Sequence, residues 1–408
     1  MKKKSNLDIL MIMFGFTFFS GSMLIGQKLS SGVEFSDFLV CILIGGTILG
    51  IFGGILGYIG AKTGNNMKEL SHKSFGKKGS YLPSLLVGIT QIGWYGVGIS
   101  MFAVPVANLI FHNNIFALYS LIILFGVFMT ISTYIGIDSI TKVSYLAVIV
   151  ILLFGFISII YAFNRQPIDI LRAFGNGDKI SILIGLQMVI GSYISGAITT
   201  PNFSKYGENP KFIAVICFCA FLLGNGLMII FGASSNILVG GSDIFNIFTY
   251  FGFETIGVIV LGLNIWSSCD NGLYSAGLEF ENILKIDHKK IILFAGLSST
   301  IFSYYLYNNF IDFLSIMNYT LPPIGVVLII NYISKKDYSC KNINLINCIA
   351  VIIGGISAYF LKFGISSINA IIVTSLITIV GNYINNKIMI NKGGSSSYEN
   401  KWIKCGIW

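Results

Sequence analysis

Phe18-Phe19-Ser20-Gly21-Ser22 and Gly191-Ser192-Tyr193-Ile194-Ser195-Gly196 are two short polar runs set inside long apolar stretches. Ser20 and Ser192 lie 172 positions apart. A second pair keeps almost the same offset. Gln91, three residues before Trp94, and Asn264, two before Trp266, are 173 apart. A near-constant spacing between polar spots in hydrophobic sequence points to an internal duplication. Gly/Ser-broken apolar segments at corresponding places in two halves mark the binding site of a secondary transporter. Gly and Ser also allow membrane helices to pack closely, so one break alone would say little. Two breaks and two amide–indole pairs at one offset say more.

The surroundings of these runs set the solvent. The 408 residues are 54% hydrophobic and 11% charged, with a mean hydropathy of +0.80. Soluble domains carry about 25% charged residues, so most of this surface faces lipid. The apolar runs are continuous and long enough to cross about 30 Å of hydrocarbon as helices, not the alternating strands of a barrel. Twelve spans fit the pattern, which makes the chain an all-α membrane protein. No cleavable signal peptide is recognisable at the start.

The net charge of +9 follows topology and does not indicate nucleic-acid binding. With an internal N-terminus, 21 of the 26 basic residues fall at the cytoplasmic ends of the spans. The positive-inside rule then puts both termini in the cytoplasm and the chain in the cytoplasmic (inner) membrane. Spans 1–5 (7–163) and 6–10 (179–333) form the two repeats. Five is odd, so the second repeat is inverted relative to the first, and the breaks make helices 1 and 6 discontinuous. Two additional helices occupy 343–386, completing one transmembrane domain over 1–391. Residues 392–408 read as a flexible cytoplasmic tail.

Asn264, Ser267, Ser268 and Asn271 recur at helical spacing and share one face. Two hydroxyls a turn from an amide offer neutral oxygens to a hard cation. The broken first helix adds carbonyls, around Phe19 and Ser22, that cannot stay unpaired in lipid. An all-oxygen site of low charge suits Na⁺ better than Zn²⁺ or Ca²⁺. Gln91 and Trp94 share a face of span 3, where an indole can stack on a flat heterocycle and an amide can read its edge. Tyr193 offers a second wall, with Ser192 and Ser195 beside it. Its phenol is expected to meet Ser192, Ser195, a water or the ligand. No basic residue lies nearby, so a neutral ligand fits. Asp270 and Asp312 are the intramembrane carboxylates, with a structural role expected for Asp270.

These residues sit in longer strings that carry a resemblance. Ile55–Gly64, the run from Ser74 to Val106, LGLNIW at 261–266, DNGLY at 270–274, YNNF at 307–310 and Pro322-Pro323 resemble the cytosine permease branch of the nucleobase–cation symporter-1 family. The resemblance covers nearly the whole chain. It implies the five-plus-five inverted-repeat fold of leucine-transporter type and no enzymatic activity. It further implies cytosine stacked on Trp94 and surrounded by Gln91, Ser192, Tyr193, Ser195 and Asn264. The Na⁺ ligands it implies are the carbonyls of Phe19, Ser22 and Asn264 with the hydroxyls of Ser267 and Ser268. The expected activity is sodium-coupled cytosine uptake by alternating access, performed by a monomer among membrane lipids. Another nucleobase or a related heterocycle, and proton coupling, stay open as alternatives. A channel or a ligand-sensing receptor fits less well. The polar residues cluster at one depth, and no signalling domain is visible. Tyr193 stands where the family carries Phe, Ser267 and Ser268 where it carries Thr, and Asp312 where it carries Gly.

Overall fold

The computed structural model describes residues 3–112, 114–165, 173–361 and 363–391. The expected tail at 392–408 lies outside the described residues. All regular structure among the described residues is helical. The first span is α1 (Asn6–Thr17) and α2 (Ser20–Gly32), bent by 51° at Phe18-Phe19. Then come α3 (Phe35–Thr63), α4 (Met67–Phe75), α5 (Tyr81–Phe111), α6 (Ile115–Ile135) and α7 (Ile137–Arg165). The second series starts with α8 (Ile182–Thr199). It continues with α9, which runs from Pro210–Cys219 through a π turn at Ala220–Gly224 into Asn225–Val239. After it come α10 (Ile244–Tyr250), α11 (Glu254–Leu284), α12 (His288–Asn308), α13 (Phe310–Thr320) and α14 (Pro322–Ile333). Finally α15 (Leu345–Phe360) and α16 (Ser366–Asn391) close the chain.

The duplication is visible in this order. Each series opens on a helix with a break, at Phe18-Phe19 in the first and at Tyr193 (φ −137°, ψ 15°) in the second. Each continues with a helix holding one π turn, Cys41–Gly45 in α3 and Ala220–Gly224 in α9. A short helix follows, α4 or α10. Next come helices of 31 residues, α5 and α11, and of 21 residues, α6 and α12.

Nine described helices are long and apolar enough to cross a membrane, and the bent α1–α2 pair makes a tenth. The other two expected spans are helices at the expected places that fall short of that test. The apolar helix α15 has 16 residues, and α12 opens on His288, Lys289 and Lys290. Large apolar side chains point outward, among them Phe116, Phe294 and Ile301, each more than 70% exposed. Such a surface requires lipid.

Packing at the centre rests on close backbone approach. A Cβ at Gly26 would lie 1.9 Å from the Ile229 carbonyl oxygen, and one at Gly232 would lie 1.8 Å from that of Met23. Only glycine lets α2 and α9 cross at this distance.

Candidate functional site

Local sequence explains the first break. Ser5 and Asp8 form a capping box that starts α1, each side chain accepting the other's backbone N–H at 3.1 Å. The helix ends where Phe18 (φ −82°, ψ 90°) and Phe19 (φ −140°, ψ 135°) turn extended. The Phe19 carbonyl then accepts the Ser22 N–H at 3.0 Å and begins α2. Gly21 leaves room for the Phe19 ring, which would sit 2.7 Å from a Cβ there.

A narrow cavity with about 20 Å³ of free space lies between the two breaks, α5 and α11. That is room for a water and not for a ring, so an occupant would require a side chain to move. Gln91, Trp94, Ser192, Tyr193 and Ser195 all line it, as the sequence led one to expect, together with Phe16 and Phe19. The indole of Trp94 is hemmed edge-on by Phe19, Phe313 and Phe310, with ring centroids at 5.4, 5.5 and 5.7 Å. Its Nε1 and the Nε2 of Gln91 are buried and find no protein acceptor. Two unpaired donors at one cavity wall are costly unless a ligand meets them.

Asn264 is elsewhere. It is fully buried but does not line the cavity. Its side-chain oxygen accepts the Ser20 hydroxyl at 3.0 Å, pinning the start of α2 to α11. The Tyr193 hydroxyl also departs from expectation. It donates to the Phe16 carbonyl, not to Ser192 or Ser195, and so ties one break to the other. Ser192 accepts the Asn225 amide at 2.9 Å, and Asn225 in turn accepts the Ser22 hydroxyl at 2.5 Å. Asn225 was missed at the sequence level. A lone amide in the apolar run 210–235 was the available signal.

Ser267 and Ser268 face the broken helix, but the carbonyls they meet are not those of Phe19 and Ser22. Ser267 donates to Gly15 O at 3.0 Å. Ser268 reaches Phe18 O at 2.9 Å, Phe16 O at 3.2 Å and Gly15 O at 3.4 Å. The reason is helix polarity. The last carbonyls of α1 have no partner further along the chain, whereas that of Phe19 is consumed by the first turn of α2. The C-terminal end of α1 is also the negative end of its dipole. Three carbonyls and two hydroxyls make a neutral all-oxygen donor set that fits a monovalent hard cation. Among the described residues no cluster of three His, Cys, Asp or Glu offers a softer or more highly charged site.

The two candidate carboxylates stand outside this set. Asp270 is fully buried and accepts Ser132 at 2.5 Å, Thr133 at 2.9 Å and the Trp266 indole at 3.1 Å, so it locks α11 to α6. Asp312 is exposed in the first turn of α13 and not inside the bundle.

The N-terminal segment is fastened to the residues that follow α8 and to the start of α7. Lys3 Nζ donates to the Gly207 carbonyl at 2.9 Å and that of Lys205 at 3.3 Å, and the Lys4 N–H donates to Tyr206 O at 2.9 Å. Lys4 also pairs with Asp138 at 2.9 Å, and the Tyr145 hydroxyl reaches Asp8 at 3.0 Å.

Residues 2–403 match the family described as permease for cytosine/purines, uracil, thiamine, allantoin. The chain belongs to this cytosine/purine permease family. It is 37% identical over 393 residues to the cytosine permease of Escherichia coli K12, covering 94% of this chain and 93% of that one. Its fold is similar to Mhp1, a nucleobase–cation-symport-1 transporter solved closed with bromovinylhydantoin bound. The TM-score there is 0.82 at 14% identity, covering 95% of this chain and 94% of that one. MhsT in complex with L-phenylalanine is similar at TM-score 0.62 and 14% identity, covering 94% and 98%. The architecture is therefore the five-plus-five leucine-transporter type. This permease is a multi-pass membrane transporter of nucleobases and not an enzyme.

Proposed function

We propose that this permease imports cytosine across the cytoplasmic membrane, coupled to Na⁺, by alternating access. Both termini then lie in the cytoplasm, the chain works as a monomer, and the end held by Lys3 and Lys4 is the inner gate. The observation that carries the coupling is the meeting of Ser267 and Ser268 with the terminal carbonyls of α1. The Na⁺ ligands are the carbonyls of Gly15, Phe18 and Asn264 and the hydroxyls of Ser267 and Ser268. Phe16 O is close enough to join them.

For the base, the ring of Trp94 provides the stacking surface once Phe19 swings aside. The Gln91 amide presents a donor to the acceptor edge of the pyrimidine. Ser192, Tyr193 and Ser195 form the opposite wall. A cation bound between α1 and α11 fixes the position of Phe16 and Phe18, and through them the cavity wall at Phe16 and Phe19. Ion and base therefore stabilise the same arrangement. Support for cytosine comes from the 37% identity to the cytosine permease of Escherichia coli. Uptake of radiolabelled cytosine into proteoliposomes, with and without a Na⁺ gradient and against a panel of bases, tests the reading. Sodium-independent uptake would replace Na⁺ by a proton. Stronger competition by another base would reassign the substrate.

A further inference from the structure

Past Ser268, α11 continues the same polar face with residues that the site does not use. Ser268, Asn271, Ser275, Glu279 and Asn282 recur every three or four residues and form one stripe toward the gated end. All five are buried. The Asn271 amide nitrogen donates back to the Ser267 carbonyl at 2.8 Å, which leaves its Oδ1 without a partner. The Ser275 Oγ and the Glu279 Oε1 have none either. Three successive unpartnered oxygens thus descend from the candidate cation site. Glu279 lies eleven residues past Ser268, roughly 16 Å along the helix.

Glu279 is fully buried, and its Oε2 accepts only the Ser84 hydroxyl, at 2.7 Å. Among the described residues, none of the charged and titratable groups around it bonds to it: Lys68, His72 and Lys285 are engaged elsewhere, and His288 packs at Gly277 with both ring nitrogens unpartnered. Lys68 pairs with Glu281 at 3.3 Å. His72 and Lys285 meet the side-chain oxygen of Asn282 at 2.5 and 3.3 Å. His288 lies edge-on to Tyr274, whose hydroxyl meets that of Tyr206 at 3.1 Å. A buried carboxylate oxygen with no donor calls for a cation. A base would need donors as well as acceptors, whereas the stripe leaves oxygens unpaired.

We infer that Glu279, with Ser275 and Asn271 above it, is a second, transit site for a monovalent cation. It lies on the path by which the ion held at Ser268 leaves for the cytoplasm. The inference rests on the sodium-coupled reading above. The same site receives Na⁺ from the cytoplasm, so internal Na⁺ should inhibit uptake through it.

The test is cytosine uptake into oriented proteoliposomes, titrating external and lumenal Na⁺ separately for the parent, Glu279→Gln and Ser275→Ala. In Glu279→Gln the lumenal Na⁺ that halves uptake should rise about tenfold, the loss of one charged ligand. In Ser275→Ala it should rise less, in the same direction. The external Na⁺ that half-activates uptake should stay at the parental value in both. Parental lumenal inhibition in both variants, or an equal shift of the external constant, overturns the transit site and leaves the coupling reading intact. If Glu279→Gln does not fold, Ser275→Ala decides alone, and parental behaviour overturns the proposal. A parent with no external Na⁺ dependence removes the coupling reading and the transit site together.

Discussion

Ser268→Ala is the sharpest perturbation of the ion site. Its hydroxyl stands within 3.4 Å of three carbonyl oxygens at the end of α1, closest to Phe18 at 2.9 Å. Alanine removes one oxygen from the cation's shell and leaves the fold's apolar contacts in place. A hydrogen bond or ligand contact to a charged group is worth about 1.5–3 kcal/mol, so Na⁺ should bind about 10- to 150-fold more weakly. Linkage fixes the rest. Whatever factor Na⁺ contributes to cytosine affinity, cytosine returns to Na⁺. At saturating Na⁺ the mutant should bind cytosine as the parent does, and at low Na⁺ it should not. Calorimetric cytosine titrations across a Na⁺ series read the midpoint directly. Ser268→Thr keeps the oxygen and should track the parent. A Na⁺ midpoint unmoved in Ser268→Ala would refute the placement of the ion between α1 and α11.

The other expectations concern the base and the break. Trp94→Ala should cost about 1–3 kcal/mol of cytosine binding, the worth of stacking one base on an aromatic ring; parental affinity in equilibrium binding would exclude Trp94 as the platform. Tyr193→Phe removes one of two hydroxyls on the Phe16 carbonyl, Ser268 remaining at 3.2 Å, and should lower stability by about 0.5–1.5 kcal/mol in thermal unfolding. Because the hydroxyl is already spent on the Phe16 carbonyl, competition by uracil and 5-substituted cytosines should keep its parental order, and a reordering would place the phenol on the ligand. Asn225→Ala cuts the Ser22–Asn225–Ser192 chain and should depress both the melting temperature and cytosine affinity; a change in neither would show that the two breaks stand without it. Asp270→Asn should retain sodium-dependent uptake at reduced stability, whereas lost coupling with intact binding would make Asp270 part of the ion path.

The sequence was informative where chemistry interrupts a monotonous background. Gly191 to Gly196 and Phe18 to Ser22 announced both breaks, because polar residues inside lipid-length apolar runs need a reason. The face shared by Gln91 and Trp94 followed from helical spacing alone. What was not legible was direction. A break can be located to within a turn, but which carbonyls it orphans depends on where the next helix starts. That is why Ser267 and Ser268 meet the carbonyls of Gly15 and Phe18 where spacing pointed to Phe19 and Ser22. Asn264 lies on the Ser267–Ser268 face, yet rotation of α11 against α2 turns its amide to Ser20, a tertiary outcome that periodicity does not contain. Asn225 escaped because its partners, Ser22 and Ser192, lie 203 and 33 residues away. The length of α15 and the polar start of α12 show the same limit from the other side, since composition ranks spans by apolarity and bundle packing does not.

The closure by Lys3 and Lys4 has an energetic meaning. It consists of a few backbone and side-chain hydrogen bonds and one ion pair whose Asp138 side chain is 86% exposed. Exposed pairs contribute about 0–1 kcal/mol, neutral hydrogen bonds about 0.5–1.5 kcal/mol and those from the Lys3 ammonium about 1.5–3 kcal/mol each. Such a fastening contributes only several kcal/mol beyond the burial of Ile9, Ile12 and Met13, so it is the part of the contact that salt and a competing charge can reach. Raising ionic strength should weaken the Lys4–Asp138 pair and with it the fastening. The N-terminal lysines, which look like topology signals in the sequence, are thus also structural ties between the start of α1 and the segment after α8.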